Sequence, residues 1–420
     1  MLYYLLLIQK AKFNLNNLST KLILEYLKDL TSLKTYIIDS DSPHEVDDAI
    51  SLEINKNNKK KIWVHISNPC RLFTSDSTID LDAKKKICSI YLIDQYIPML
   101  PKDIINEANL AQNKVSKTIS ASIELDDNGS IINYEIVEAI VKPKYQLTYE
   151  DVNDIFEIEP KEELDLIELR NLLMKSISFR KKKGAVNFDT PTSKLKIDKG
   201  NVILTRVDKT IAHIIVSEAM ILMGYVTSLY LFNNNLVAAY RTQKINCNHN
   251  EILERYKDSD IKYILLKQYI GKSYLTTKPN THECLGLNMY VQCTSPLRRY
   301  LDLIIQRQVY NKINNLGEIN SETFTNVIDE SRRKQIEINN IYKNDKLKYL
   351  SLFFIKENKT YYKIIFVKWI NHKRNIALVY FPEYLLEILI TLYVSIDIYS
   401  NKVYKVKYNI NDNNNLEFIY

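Results

Sequence analysis

Apolar residues recur at helical spacing in three parts of the chain. Positions 18–30, 208–231 and 320–352 repeat apolar residues every three or four positions, which predicts helices. The first stretch, with a cap offered by Asn17 to Thr20, predicts a short helical segment within residues 1–35. In the last stretch, six side chains are predicted to face the core: Val327, Ile328, Ile336, Ile338, Ile341 and Tyr342.

Elsewhere apolar and polar residues alternate, which predicts strands. Such segments lie on both sides of position 44, at 61–66, and across 118–145, where Asp126-Asp127-Asn128-Gly129 marks a hairpin turn. Beyond about residue 358, five short strands separated by polar turns predict a small β-barrel of the OB type. These strands are predicted at 361–370, 376–381, 392–398, 403–408 and 416–420.

The pattern as a whole predicts an α+β fold, with an antiparallel sheet early in the chain and long helices later. Its predicted divisions are a helical N-terminal segment (1–35), one large α+β domain (36–352) and the C-terminal barrel (358–420). A chain of 420 residues has ample length for a substantial core.

The loop predicted between the first two strands holds five carboxylates within ten positions, from Asp39 to Asp48. Carboxylates this close repel one another and raise one another's pKa unless a cation neutralises them. Oxygen ligands from Asp39, Glu45, Asp47 and Asp48 suit Mg²⁺ or Mn²⁺, which keep open positions for phosphate oxygens. The loop therefore predicts a metal site for phosphoryl transfer.

Two other interpretations of the acidic loop were weighed. A solvated surface loop is the ordinary explanation for a cluster of charges. A calcium loop of the EF-hand kind is disfavoured, because the required glycine is missing and Pro43-His44 occupies the turn. Residues further along the chain favour the metal site.

The second stretch with chemical content runs from Tyr290 to Arg307. Within it, Thr294-Ser295-Pro296 predicts the start of a helix, which places Arg298 and Arg299 in the first turn. Free amides and the helix dipole favour an anion there, so an added guanidinium gains most when phosphate neutralises it. We favour phosphate binding over a structural salt bridge for this arginine pair.

Two features leave their alternatives open. The basic run from Arg180 to Lys183 is explained equally well as a solvated helix end and as a nucleic-acid contact. Glu218 lies among apolar residues of the predicted helix 208–231, where a carboxylate either faces solvent or is placed for a function.

Composition narrows the class of protein. A hydrophobic content of 46% with 25% charged residues is typical of a soluble globular chain, and we predict no membrane-spanning segment. The five cysteines are scattered and never form a C-x-x-C pair, so neither a disulfide framework nor a zinc site is predicted. A net charge of +7 favours a polyanionic partner.

The compartment is predicted from composition alone. Residues 1–10 lack the positive leader and small-residue cleavage site of a signal peptide, and they lack the pattern of a transit peptide. The abundance of Ile, Asn, Lys and Tyr beside only 7 glycines is typical of an A+T-rich gene. We therefore predict a plastid location, with the bacterial cytoplasm as the alternative.

These motifs together resemble the ribonuclease II/ribonuclease R (RNB domain) family, including its short plastid or cyanobacterial type. The family's acidic signature appears as Ile38-Asp39-Ser40 followed by Glu45-Val46-Asp47-Asp48-Ala49, and its Thr-Ser-Pro-Ile-Arg-Arg-Tyr signature as Thr294 to Tyr300. Weaker matches occur in the family's order at Trp63–Ile66, Ser89–Leu92 with Ile97–Pro101, Leu147–Tyr149, Arg180–Ala185 and Ser217–Met220.

The resemblance implies an RNB-type catalytic domain over residues 36–352 that hydrolyses single-stranded RNA in the 3′→5′ direction. By matched position, Asp39, Glu45 and Asp48 would bind Mg²⁺, with Mn²⁺ as a possible substitute, while Asp47 completes the acidic site and Arg298 stabilises charge on the scissile phosphate. The other predicted RNA contacts are Tyr91, Tyr149, Glu218, Tyr290 and Arg299, of which the tyrosines at 91 and 149 would stack on bases and Glu218 would contact ribose. The implied partner is single-stranded RNA, and we expect a monomer.

The chain also departs from the family pattern. Glu45 and Asn68 each stand where the family usually has aspartate, Gln306 replaces a common histidine, and Gly224 replaces a common asparagine. The longer arm of Glu45 can still bind a metal. The two cold-shock domains that normally precede the catalytic domain are absent from this sequence.

Two alternatives to an active exoribonuclease follow. A catalytically weak or silent RNA-binding relative is disfavoured, because four mutually repelling carboxylates have no physical use without a metal. A DNA-directed nuclease would share every residue named above and differ only in its contacts with the sugar.

Overall fold

The computed structural model describes residues 27–41, 43–186, 188, 191–259, 261–394, 397–409 and 416–420. The helical segment predicted within residues 1–35 lies almost entirely outside the described residues. Its last part is described, and there Lys28–Asp29 is a short strand and Thr35 begins another.

Strands make up the first and last parts of the described chain. They are β1 (Lys28–Asp29), β2 (Thr35–Asp39), β3 (Asp48–Ile54), β4 (Lys60–Ser67), β5 (Ile90–Tyr91), β6 (Tyr96–Ile97), β7 (Ser116–Leu125), β8 (Ile131–Val141), β9 (Tyr145–Thr148), β10 (Thr192–Asp198), β11 (Asn201–Val207), β12 (Tyr240–Thr242), β13 (Tyr274–Thr276), β14 (Tyr362–Asn371), β15 (Ile376–Phe381), β16 (Leu386–Tyr393), β17 (Lys402–Asn409) and β18 (Glu417–Ile419).

The helices concentrate in the middle of the chain. They are α1 (Thr78–Lys86), α2 (Lys102–Ala108), α3 (Tyr149–Ile158), α4 (Leu164–Lys182), α5 (Ile211–Asn233), α6 (His249–Arg255), α7 (Lys262–Lys267), α8 (Tyr300–Ile313) and α9 (Ser321–Glu357).

The main sheet has seven strands in the order β1-β8-β7-β4-β3-β2-β9. Neighbouring strands run antiparallel, except that β1 pairs with β8 and β2 pairs with β9 in parallel. The predicted hairpin is confirmed as β7 and β8. Its turn needs Gly129, whose φ is +89°, because an added Cβ would lie 2.2 Å from the carbonyl oxygen of Lys175.

Helix α5 crosses the core of the large domain. By length and hydropathy alone, α5 is apolar enough to cross a bilayer, a feature that the sequence prediction did not identify. However, 56% of that stretch is buried inside the protein. Ala212, Ile215, Ala219 and Leu222 of α5 belong to the largest apolar cluster, as expected for the core helix of a globular protein.

The C-terminal strands form a closed barrel in the order β14-β15-β16-β18-β17, with β16 and β18 parallel. The predicted α+β fold with a C-terminal barrel is thus confirmed. The third barrel strand was predicted at 392–398, but it is Leu386–Tyr393, where Leu386, Ile388, Ile390 and Leu392 alternate inward. Phe354, from the end of α9, plugs the barrel interior.

Helix α9 is confirmed at the predicted place and ends where the barrel begins. Val327, Ile328 and Ile338 are buried as predicted, whereas Ile336 and Ile341 are 67% and 42% exposed. The prediction was wrong for these two because α9 packs against the large domain along only one stripe of its surface.

Candidate active site

The acidic loop joins two neighbouring strands, as the alternating pattern predicts. Asp39 is the last residue of β2 and Asp48 the first of β3, and the strands pair through Thr35 with Ser51 and Tyr36 with Ile50. Strand β9 runs parallel to β2 and brings Thr148 opposite Asp39. The sheet therefore holds both ends of the loop in fixed positions.

Asp47 and Arg298 meet at the centre of the site. The Asp47 carboxylate accepts hydrogen bonds from the backbone N–H of Leu297, 3.0 Å, from the Ser67 hydroxyl, 3.3 Å, and from Nε of Arg298, 3.2 Å. Asp47 is almost fully buried, while the Arg298 side chain is 42% exposed. One face of the guanidinium is thus oriented by the protein and part of it remains open to a ligand.

The predicted helix start at Thr294 is wrong. Helix α8 begins at Tyr300, and residues 295–299 form a turn in which Ser295 O accepts from the N–H groups of Arg298 and Arg299. The N–H of Ser295 donates to Asp302 Oδ2 over 3.0 Å, and Arg299 also binds this carboxylate, 2.7 Å. Both arginines therefore precede the helix instead of lying in its first turn.

Glu45 is held by two hydroxyl donors. Its carboxylate accepts from Ser89 Oγ over 2.7 Å and from the phenol of Tyr91. The backbone of the neighbouring Val46 is fixed in turn, because its N–H donates to Asn109 over 2.8 Å. Burial raises the pKa of Glu45. Tyr91, one of the two predicted base-stacking residues, is therefore bonded directly to the acidic loop.

The four carboxylates and Arg298 line one cleft of about 840 Å³. Burial raises the pKa of Asp47 to about 7, with the Arg298 charge acting in the opposite direction. The pKa of Asp48 is also raised to about 7, first by burial and then by the charges of Asp47 and Asp39. Added positive charge would relieve this repulsion.

Two findings bear on whether the cleft suits a divalent cation. Among the described residues, no three His, Cys, Asp or Glu side chains are placed so that they could hold a metal ion together. The donor set itself fits a hard cation, since it consists of carboxylate oxygens that line one cleft. Glu45 would have to exchange its contact with Tyr91 for a ligand role.

The two predicted stacking residues lie beside the acidic cluster. The Tyr91 ring is 40% exposed and lines the cleft. Tyr149 begins α3, and the predicted capping box between Thr148 and Asp151 is confirmed. Its ring stacks on His213 with centroids 3.8 Å apart, and burial followed by the charges of Asp39 and Asp48 raises its pKa to about 12.

Two predicted RNA contacts lie in the interior instead. Glu218 is 1% exposed, and its carboxylate accepts from Ser176 Oγ over 2.6 Å and from Nε and Nη2 of Arg180. Arg180 therefore fits neither alternative considered for the basic run, a solvated helix end or a nucleic-acid contact. Tyr290 is 8% exposed, packed edge-on against His282. We expect structural roles for Glu218, Arg180 and Tyr290.

Several cleft residues were missed by sequence reasoning. Lys194 and Lys196, on the exposed hairpin β10–β11, and Lys346 and Tyr342 of α9 line the same cleft as the acidic loop. The Tyr342 hydroxyl also accepts from the backbone N–H of Tyr91 over 3.3 Å. Alternating lysines along a strand are the only sequence signal of this wall, and nothing in the pattern places it opposite the carboxylates.

The departures at Asn68 and Gln306 are accommodated by hydrogen bonds. Asn68 Nδ2 donates to Glu138 over 3.0 Å, and Gln306 Nε2 donates to the carbonyl oxygen of Ser67 over 2.7 Å. Because Ser67 also donates to Asp47, Gln306 supports the site through the end of β4.

The chain is similar to known proteins in sequence. The model of the RNB domain family matches residues 27–315. A protein of Synechocystis named as an uncharacterized ribonuclease is 28% identical over 86% of this chain and 55% of its own length. The chloroplastic/mitochondrial ribonuclease II of Arabidopsis thaliana is 30% identical over 67% of this chain and 36% of its own length.

A solved structure shows the same fold. Mycoplasma genitalium RNase R, in complex with ribose-methylated single-stranded RNA, aligns over 94% of this chain and 72% of its own with a TM-score of 0.80 and 19% sequence identity. The chain spans about half or less of the length of the curated relatives described above.

Proposed function

Because the chain belongs to the RNB domain family, we propose that it is an exoribonuclease that hydrolyses single-stranded RNA from the 3′ end. Its products are 5′-nucleoside monophosphates, and its cation is Mg²⁺, with Mn²⁺ able to replace it. In each cycle the oxygen of a water molecule bonds to the scissile phosphorus and the bond to the 3′ oxygen breaks. The shortened RNA keeps a 3′-hydroxyl group.

The observation that carries the proposal is the position of Arg298. Its guanidinium is oriented by Asp47 over 3.2 Å, is partly exposed, and lines the cleft that holds the four carboxylates. A guanidinium held in this way can bind a phosphate oxygen and gain strength as charge develops during the reaction. A cluster of solvated surface carboxylates would need no such partner.

Other side chains in the cleft and beside it receive the strand. Tyr91 and Tyr149 stack on bases near the 3′ end, which is worth roughly 1–3 kcal/mol per base and requires no particular sequence. Lys194, Lys196 and Lys346 provide positive charge along the same cleft for the phosphate backbone. Arg299 adds a further guanidinium beside Arg298.

Asp39, Glu45 and Asp48 are the residues that would hold the divalent cation. When bound, the cation supplies electrophilic activation of the scissile phosphate. A cation held there would also offset the charges of Asp47 and Asp39 that contribute to the raised pKa of Asp48. Asp47 keeps a separate role in this proposal, because its carboxylate orients Arg298 and the Leu297 amide.

The test uses a 5′-labelled single-stranded RNA oligomer with the purified protein. With Mg²⁺ we expect a ladder that shortens from the 3′ end and is lost with a chelator and in Asp47→Asn. Asp127→Asn is the matched control, since that carboxylate lies on the exposed turn between β7 and β8. A DNA oligomer of the same sequence separates RNA from DNA specificity.

Binding of the RNA without cleavage in either Mg²⁺ or Mn²⁺ would contradict the proposal. That result would favour the alternative of a catalytically silent RNA-binding protein.

We further propose a monomer in a plastid. The composition and the chloroplastic/mitochondrial and Synechocystis relatives support the location. Light scattering should give a mass near 49.3 kDa, and an antibody should detect the protein in the plastid fraction of its source cells. A mass of twice that value would contradict the monomer, and a bacterial source would contradict the plastid location.

A further inference from the structure

A second cavity, of about 820 Å³, adjoins the acidic cleft and shares Tyr91, Arg298 and Tyr342 with it. Its remaining walls come mainly from strands β12 and β13, from residues in and just before the turn at 295–299, and from the middle of α9. We call it the basic cavity. Outside the shared three, Ser89, Arg299 and Asp302 have contacts described above, and the remaining residues of the basic cavity have no assigned role.

The charge of the basic cavity is opposite to that of the acidic cleft. In the part of the chain that the structure describes, one carboxylate, that of Asp302, lines it together with five cationic side chains. These are Arg241, Lys272, Arg298, Arg299 and Arg332. A concave surface with this excess of positive charge attracts anions.

Among the described residues, Arg241 is the arginine of this set that forms no ion pair. Arg298 and Arg299 bind Asp47 and Asp302, and Arg332 binds Asp329. Arg241 instead donates from Nη1 to the hydroxyl of Ser273 over 2.9 Å, and a hydroxyl cannot neutralise it. Burial lowers the pKa of Arg241, the nearby charge of Asp302 acts in the opposite direction, and the charge of Arg299 lowers it further.

Buried polar atoms at the walls of the basic cavity have no partner. Within the described ranges, Nε of Arg241, Nε of Arg299, Oδ1 of Asp302 and Oγ of Ser331 have no hydrogen bond. Asp302 and Ser331 are themselves 1% and 5% exposed. Unsatisfied buried groups are rare in native proteins, so four around one cavity point to a ligand.

The rim of the cavity adds aromatic rings to these charges. Tyr91 and Tyr274 are 40% and 45% exposed, and both line it. Arginines suit a phosphate, hydroxyl and carboxylate groups suit ribose, and exposed tyrosine rings suit a base. The three components of a nucleotide therefore each find a matching surface.

We propose that the basic cavity binds a phosphate monoester, and that Arg241 is its principal cationic contact. The inference rests on the proposed function for its source of ligand, the 5′-phosphate of a released mononucleotide. An RNA strand ending in a 3′-phosphate carries the same chemical group and is the second source. Asp302 and Ser331 contact hydroxyl groups of the sugar.

The experiment is calorimetric titration of the full chain with adenosine 5′-monophosphate in the presence of a chelator. The chelator removes any cation from the acidic cleft, so this binding does not require catalysis. We expect adenosine, which lacks the phosphate, to bind at least about tenfold more weakly. The same loss is expected for Arg241→Gln, and a loss of about threefold for Lys272→Gln, whose side chain is exposed and cannot perturb the fold.

Lys181→Gln is the matched control, since this exposed lysine lies in the last turn of α4, outside the cavity. RNA oligomers that end in a 3′-phosphate or a 3′-hydroxyl distinguish the two sources of the phosphate. If the 3′-phosphate oligomer binds more tightly, and Arg241→Gln removes that difference, the site is assigned to the end of the RNA strand. Equal affinity for the monophosphate and adenosine, or unchanged binding in both cavity variants, would overturn the proposal. Failure of the ladder assay alone would leave this result intact.

Discussion

The ion pair between Glu218 and Arg180 gives a sharp test of the interior of the large domain. The two side chains are 1% and 6% exposed. Glu218 accepts from Arg180 and from Ser176, and Nη1 of Arg180 donates to the carbonyl oxygen of Leu285 over 2.7 Å. Glu218→Gln keeps the shape but leaves the guanidinium buried without a counter-charge.

Breaking a buried ion pair by removing one partner costs about 3–5 kcal/mol, whereas replacing both partners by apolar residues is often neutral. We therefore expect Glu218→Gln to lower the urea midpoint strongly, and the double variant Arg180→Leu with Glu218→Leu to recover most of the loss. Glu157→Gln, an exposed position on α3, is the control and should change stability by less than about 0.5 kcal/mol.

RNA affinity measured on folded Glu218→Gln completes the test. Affinity close to that of the unaltered protein agrees with a structural role. An unchanged urea midpoint with a tenfold loss of RNA affinity would refute it and restore the predicted ribose contact.

Three further predictions concern stability and are checked by denaturant unfolding. Burial lowers the pKa of His65 to about 3, so below pH 6.5 the unfolded state binds a proton that the folded state does not. Between about pH 6.5 and pH 3, His65 should then lower stability by about 1.4 kcal/mol for each unit by which the pH falls, and His65→Gln removes this part of the pH dependence. Phe354→Ala should lower the free energy of unfolding by about 3–5 kcal/mol, because it leaves a cavity inside the barrel. An unfolding midpoint equal to that of the unaltered protein, followed by circular dichroism, would contradict this. Gly224→Ala should lower the free energy of unfolding by about 1–3 kcal/mol although alanine favours a helix, because its Cβ would lie 2.4 Å from the Tyr290 ring. A variant more stable than the unaltered protein would contradict this.

The features that sequence predicted correctly are those fixed by local pattern. The strands beside the acidic loop, the β7–β8 hairpin and the capping box at Thr148 each depend on residues a few positions apart. Local chemistry was enough for these elements. The third barrel strand was misplaced because Ile388, Leu389 and Ile390 are consecutive apolar residues, so alternation alone did not set its start.

The features that sequence missed depend on contacts between distant segments. The turn before α8 replaces a helical turn because Leu297 donates to Asp47 and Tyr300 donates to the carbonyl oxygen of Ile87. Glu218 was considered for a ribose contact because nothing local shows that Arg180 lies beside it. The basic cavity likewise assembles from β12, β13 and α9, which no spacing rule brings together.

The most direct test of the central claim is a single-turnover reaction on RNA labelled in its 3′-terminal nucleotide. With Mg²⁺, the account predicts that the first labelled product is a 5′-nucleoside monophosphate. It also predicts that Arg298→Lys retains RNA binding but releases this product about 10²- to 10³-fold more slowly, because a flexible ammonium group cannot reproduce the oriented guanidinium. A first product of several nucleotides, or an unchanged rate in Arg298→Lys, would contradict the account.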